Sequence, residues 1–173
     1  MRMKELGLPF YYAVTATSRP RRASEVDGRD YHFIEKPLFE KMIAEDGFLE
    51  WANVYGNLYG VPAKYVEQAM SEGKDALVKV DIQGTATIKK LKPEAVSVFI
   101  APPSMDELER RLAGRKTESE ADLKLRLETA QQEMEAQAWF DHVVVSRTNR
   151  IDEAIAEIRS IVEAEQSRDV QTG

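Results

Sequence analysis

With 173 residues, 43% of them hydrophobic and 31% charged, the chain has the size and composition of one soluble domain able to bury a substantial apolar interior. It contains no cysteine, which excludes disulfides, thiolate metal sites and thiol nucleophiles and fits a reducing compartment. A formal net charge of −6 opposes nucleic-acid binding, and no apolar run approaches the roughly eighteen residues of a membrane span, so a cytoplasmic protein is expected.

In chain order, "FYYAVTAT" at 10–17 is a short run of β-branched and aromatic residues and reads as a strand. It leads into "TSRPRRASEVDGRDYHF", which brings Arg19, Arg21 and Arg22 together ahead of Tyr31. Basic clusters on turns are most often solvated surface. In an acidic chain the other reading is a local pocket for a small anion. Residues 29–62 then hold "RDYHFI", "FLEWANV" and "LYGV", short aromatic runs separated by turns and by a short helix around "PLFEKMIAEDG". They read as a small mixed lobe inserted into a larger sheet. Within it Glu50 sits between Leu49 and Trp51, and alternation faces it away from both. It is either a solvated carboxylate or an acceptor for two parallel hydrogen bonds. Guanine offers such a donor pair, its ring N1–H and exocyclic amine, and adenine does not.

"DALVKVD" reads as the next strand, with Asp81 at its carboxyl end and Gly84 opening a turn into a helix. An acid there is either a helix cap or part of a ligand site. "AVSVFIA" and "HVVVS" are further strands, and strands apolar on both faces that alternate with helices indicate a parallel sheet covered on each side. "SMDELERRL" opens with the capping-box pair Ser104 and Glu107. "RRLAGRKTESEADLKLRL" places Arg110, Arg111, Arg115, Lys116 and Arg126 around a glycine hinge, as a charged surface turn or as a lid that swings cations over phosphates. In the last helix Ile151, Ala154, Ile155, Ile158, Ile161 and Val162 form one apolar stripe, which is core. His32 and His142 lack metal-ligand spacing and the serines lack a nucleophile-elbow pattern, so metalloprotease and acyl-transfer chemistry drop out.

In this order and spacing, "TATSRPRRASEVDGRDYHF", "GFLEWANVYGNLYGVP", "VDIQG", "FIAPPS" and "LERRLAGRKTESE" resemble the guanylate kinase family, over nearly the whole chain from about Phe10 to the last helix. The resemblance implies an α/β fold: a three-layer parallel sheet with helices on both faces, like the P-loop NTPases, plus an inserted GMP-binding lobe at 29–62 and a lid at 110–126. It implies a transferase of purine nucleotide metabolism that moves the terminal phosphoryl of ATP to GMP, with Mg2+ accompanying ATP and with neither nucleic acid nor membrane as partner. By the same resemblance Arg19, Arg22, Tyr31 and Tyr59 hold the GMP phosphate and Glu50 reads the guanine edge. Thr15 supplies a hydroxyl near the guanine carbonyl, Asp81 completes the base pocket, and Arg115 and Arg126 neutralise the phosphoryl group in transit.

The chain departs from the family pattern in several places. It contains no GxxxxGK[ST] loop, the element that cradles ATP phosphates in this family. By resemblance the strand that goes with that loop is the central one, between "LVKV" and "SVFIA", and the chain alone is expected to bind GMP weakly and turn over slowly. Val61 stands where a hydroxyl residue is usual, Lys79 where an acid is common, Lys116 in place of a glycine, and Ser146 in place of an asparagine. A non-catalytic module that binds GMP or a phosphorylated peptide is the alternative, with the same arginines and tyrosines gripping a phosphoserine.

Overall fold

The computed structural model describes residues 3, 6–54, 56–113 and 120–172, with side chains at all of these except 112–113, 120–126 and 169–172. The chain divides into two compact units, 1–95 and 96–173.

In the first unit the run 10–17 is not one strand. It breaks into β1 (Tyr11–Tyr12) and β2 (Ala16–Thr17), which belong to different sheets. β3 (His32–Phe33) is followed by the helix α1 (Lys36–Ala44) and by two longer strands, β4 (Phe48–Val54) and β5 (Asn57–Pro62). These build a four-stranded sheet in the order β3-β2-β5-β4, parallel between β2 and β3 and antiparallel elsewhere. Pro37 opens α1, where its missing N–H costs nothing, and Phe39 and Ile43 recur one turn apart to give the helix one apolar face. That face packs on the sheet through Ala16, Leu58, Ile34 and Phe48. Phe39 is fully buried, with its ring stacked on Phe48 at 4.3 Å. The β4–β5 hairpin turns at Gly56, whose φ of 81° is costly for a residue with a Cβ, and the Gly56 N–H donates to Asn53 Oδ1 at 2.9 Å.

The helix α2 (Ala63–Ser71) follows β5 and leads to β6 (Ala76–Leu77), which pairs in parallel with β1. The strand expected over "DALVKVD" is therefore only two residues long. Its ladder lasts as far as Ala13, whose N–H donates to Leu77 O at 3.0 Å, and beyond that point the partner chain leaves to join β2 in the other sheet. Backbone groups pair where a neighbour exists, whatever the strand propensity of "VKV". The helix α3 (Ile82–Leu91) begins immediately after Asp81, so Gly84 is its third residue rather than the opening of a turn before it.

In the second unit β7 (Val98–Ala101) pairs in parallel with β8 (His142–Val145), with Val144 and Ala101 buried. Ser97 locks the start of this pair: its N–H and its hydroxyl both donate to Asp141 Oδ2 at 2.7 Å, and the hydroxyl accepts from the Asp141 N–H at 3.1 Å. The helix α4 (Met105–Ala113) starts at Ser104, whose hydroxyl accepts from the Glu107 N–H at 3.2 Å, as the capping pair predicts. Glu107 itself bonds Arg111 and Thr148 instead of reaching back. The helix α5 (Glu120–Ala136) and the final helix α6 (Ile151–Thr172) complete the unit. Ala154 and Ile155 carry the buried part of the predicted stripe, while Ile151, at the helix start, is exposed. The architecture is mixed α/β: among the described residues each unit has a two-stranded parallel sheet, and the first also has the four-stranded mixed sheet.

Candidate functional site

The arginine cluster folds as a closed hook. Arg19 makes a two-pronged pair with Glu25, Nη1 to Oε2 at 3.0 Å and Nη2 to Oε1 at 2.8 Å, with both side chains largely sheltered. The Arg22 N–H donates to the same Glu25 Oε2 at 2.8 Å, and Arg21 Nη1 donates to the Glu25 carbonyl at 2.7 Å. Arg21 thus braces the turn, and the Arg22 side chain is exposed. Hydrogen bonding from Arg19 and then from Arg22 pulls the Glu25 carboxyl down to about 2, and the Glu25 partnership raises Arg19 further above its already high value. The pair is therefore ionised at any physiological pH.

The next turn is tied by its own aspartates: Asp30 Oδ2 accepts from the Val26 N–H at 2.8 Å and Asp27 Oδ1 from the Phe33 N–H at 2.9 Å. Gly28, at φ 72°, sends its N–H to the Tyr31 carbonyl at 2.8 Å. These bonds set Tyr31 at the entrance to β3. Its ring lies edge-on to Phe33 at 5.8 Å and to Tyr59 at 6.0 Å. The Arg19 guanidinium carbon sits 5.4 Å from the Tyr31 ring centre and 5.6 Å from that of Phe33. Arg19, Tyr31 and Tyr59 are thus one cluster, with the Tyr59 phenol also acting on Arg19.

Glu50 joins this face through a defect in the ladder. Phe48 is opposite Pro62 and Glu50 is opposite Val61, so two residues of β4 are spent for one of β5 at Leu49. Without the bulge Glu50 would share the face of Phe48, which packs on Phe39 in the core. With it, Glu50 pairs with Val61 and Ala52 with Tyr59, and directly opposed residues of an antiparallel ladder share a face. Thr17 lies opposite Tyr59 across the other ladder and opposite Phe33 in the parallel one, which extends the same face across the sheet. α1 covers the other face.

The Glu50 carboxylate rests on the first turn of α3. A Cβ built on Gly84 would stand 3.1 Å from Glu50 Oε2 and 3.2 Å from its Cδ, so the carboxylate occupies the room that the glycine leaves. Asp81 caps α3, its Oδ1 accepting from the Gly84 N–H at 2.7 Å. Burial first, and the neighbouring Asp81 charge second, push the Glu50 carboxyl up to about 7. A half-buried acid poised at neutrality beside a second acid is a typical mark of a ligand site.

Of the residues singled out in the sequence, the structure brings together Arg19, Tyr31 and Tyr59 as one group and Glu50 with Asp81 as another. Thr15 is half-buried just before β2, its carbonyl accepting from the His32 N–H at 2.9 Å. Val61, buried opposite Glu50, puts an apolar surface beside it, and Lys79 is exposed. In the second unit the Ser146 carbonyl accepts from Arg111 Nη2 at 2.7 Å. Arg115, Lys116 and the Arg126 side chain lie outside the described residues. Sequence reading missed Glu25 and the packing role of Gly84. The spacing of three residues from Arg22 to Glu25, a capping-type pattern, was the available signal for the first.

The family model described as "Guanylate kinase" matches residues 3–165. A guanylate kinase of Thermus thermophilus is 43% identical over 163 residues, covering 94% of this chain and 73% of the relative. One of Symbiobacterium thermophilum is 43% identical over 162 residues, covering 94% and 76%. The crystal structure of guanylate kinase from Anaplasma phagocytophilum superposes with a TM-score of 0.76 at 33% identity, covering 94% of this chain and 79% of that one. The chain belongs to the guanylate kinase family.

Proposed function

We propose that this chain binds GMP as the acceptor in ATP-dependent phosphoryl transfer, giving GDP and ADP. The observation that carries this reading is the single sheet face that holds a cationic aromatic cluster at Arg19, Tyr31 and Tyr59 and, on the next register position along, a bulge-aimed carboxylate. Tyr59 and Val61 are two residues apart on β5, about 7 Å along a strand, and Glu50 lies opposite the second of them. A mononucleotide has that polarity, with a dianion at one end and a hydrogen-bonding base edge at the other.

In this reading Arg19 and Arg22 supply forked, charge-assisted bonds to the GMP phosphate, and Tyr31 and Tyr59 donate through their phenols. Glu50, ionised, accepts from guanine N1–H and the exocyclic amine. Thr15 reaches the guanine carbonyl, and Asp81 holds both the start of α3 and the edge of the base pocket. The acceptor oxygen of GMP is already anionic, so no general base is needed, and catalysis is alignment and charge neutralisation. Arg115 and Arg126 are proposed for that neutralisation, in a lid over 110–126, with 29–62 as the GMP lobe. The three-layer parallel core is likewise proposed for the strand pairs on the strength of family membership.

No GxxxxGK[ST] occurs in the 173 residues, so the cradle for the ATP phosphates is assigned to none of them. Mg2+ supplies charge neutralisation between donor phosphates when bound. Among the described residues no three acidic or histidine side chains converge, so these residues do not fit a resident ion and Mg2+ is proposed only as travelling with ATP. No described helix is long and apolar enough to cross a membrane, and a cytoplasmic location is proposed.

The non-catalytic phosphopeptide alternative has no use for Glu50, whose placement beside Asp81 favours the nucleotide reading. Calorimetric titration with GMP and AMP tests it: GMP binding that is lost in both Arg19→Ala and Glu50→Ala, with AMP inert, is expected. Equal binding of GMP and AMP would overturn it.

A further inference from the structure

Glu25 is an anion at the centre of a hook read above as an anion site. If charge alone governed that site, a carboxylate there would be a defect, because it repels an incoming phosphate. The geometry points elsewhere.

A guanidinium has five N–H donors arranged along its planar edges. In Arg19 one hydrogen on each Nη goes to the two Glu25 oxygens, at 3.0 and 2.8 Å, and Nη1 also donates to the Pro20 carbonyl at 2.8 Å. Those three bonds use the end-on edge and the far Nη1 hydrogen. The other donors are Nε–H and the second Nη2 hydrogen, which lie side by side as another fork; the Tyr59 phenol also hydrogen-bonds the Arg19 side chain, so a phosphate bound here shares the guanidinium with Tyr59. The plane of the group is fixed as well, by the rings of Tyr31 and Phe33 at 5.4 and 5.6 Å. Glu25 itself is immobilised by a third donor, the Arg22 N–H at 2.8 Å, so both arginines of the hook are referenced to one carboxylate. Arg21 closes the turn from outside through the Glu25 carbonyl at 2.7 Å.

We propose that Glu25 is a positioning residue for the substrate phosphate: it fixes Arg19 so that the second fork is presented ready-made and sets the backbone from which Arg22 projects. This rests on the GMP reading of the site. A free arginine would surrender rotamer freedom on each binding event, and a guanidinium already locked into its bound pose does not. Glu25 stays ionised across the working pH range because its donors hold its carboxyl at about 2, so the lock does not release near neutrality. The carboxylate gives up some long-range attraction in exchange for geometry, and the two effects have opposite signs in a binding experiment.

The test titrates the 173-residue chain with GMP and with guanosine, which lacks the phosphate, for wild type, Glu25→Ala, Glu25→Gln, Arg19→Ala and the Arg19→Ala/Glu25→Ala double variant. Glu25→Ala is expected to weaken GMP about tenfold and to leave guanosine unchanged, which also shows that the base pocket is folded. Glu25→Gln, which keeps acceptor oxygen but no charge, is expected to recover part of the loss. In the Arg19→Ala background removing Glu25 is expected to have no further effect, since the group it positions is gone. GMP affinity that is unchanged or tighter in Glu25→Ala overturns the proposal and makes Glu25 a competitor of the phosphate. Equal weakening of GMP and guanosine overturns it in favour of a merely structural turn. Wild type that fails to bind GMP, or an Arg19→Ala variant that binds it as wild type does, sinks the GMP reading and this role together. GMP binding that needs Arg19 and not Glu25 sinks only the role.

Discussion

Reading guanine with Glu50 couples binding to a proton. Burial beside Asp81 puts the Glu50 carboxyl at about 7, so about half of the free protein carries a proton on it at pH 7. Only the carboxylate accepts from both guanine donors, so apparent affinity scales with the ionised fraction, about 0.09 at pH 6 and about 0.9 at pH 8. That is about a tenfold gain in GMP affinity over two pH units. The phosphate of GMP, with a second ionisation near pH 6, adds about another factor of two over the same range. Glu50→Gln separates the two, since it retains the phosphate's share and removes the larger one. Calorimetry at pH 7 in two buffers of different ionisation enthalpy should also register about half a proton released per GMP bound by wild type and much less by the variant. Parallel pH profiles for wild type and Glu50→Gln, or no proton release, would refute the reasoning. The same shift has a stability consequence. The folded carboxyl is raised from its ordinary 4.5, so between 4.5 and 7 the folded state holds a proton that the unfolded state has lost. The associated stability is complete below 4.5 and disappears as pH rises through 7, at most about 3 kcal/mol and less for the part of the group that solvent screens.

Gly84→Ala places a methyl 3.1 Å from Glu50 Oε2 and 2.9 Å from Val80 Cβ, so the carboxylate must move; the preference for GMP over IMP, which lacks the exocyclic amine, should fall at least fivefold in competitive titration. A preserved preference would show that Glu50 does not need that space. Phe39→Ala empties the fully buried centre of the first unit's core and should cost about 3–5 kcal/mol in urea unfolding; a loss below about 1 kcal/mol would mean that the core is not built around it. Asp141→Ala strips the acceptor from the Ser97 N–H and hydroxyl and should cost about 1–3 kcal/mol, with GMP affinity unchanged because the residue lies outside the unit that carries the site.

Much of the site was legible because its chemistry is written in residue types. Arg19, Tyr31 and Glu50 stand out as groups that a plain strand-and-turn lobe does not require, and they fall on one sheet face. Their mutual placement was less legible. Counting alternately from Phe48 puts Glu50 in the core, and only the extra residue at Leu49 turns it to the tyrosines; a bulge leaves no mark in hydrophobic alternation. Glu25 reads as one more acid in a polar turn until the fold brings its oxygens to Arg19 and the Arg22 N–H. "DALVKVD" has the composition of a long strand, yet only Ala76 and Leu77 enter a ladder, because strand length depends on the partner chain as well as on propensity. In the sequence Gly84 reads as a turn former, whereas its use lies in the side chain it lacks. The helices fared better, since caps and apolar stripes are local: Ser104 caps α4, and Ala154 and Ile155 bury one side of α6.

The most direct test of the central claim is a structure of the 173-residue chain crystallised with GMP. The account predicts the phosphate within hydrogen-bonding distance of Arg19, Tyr31 and Tyr59, and both Glu50 oxygens on guanine N1–H and the exocyclic amine. A nucleotide bound away from this sheet face, or bound here with its base turned from Glu50, would contradict it.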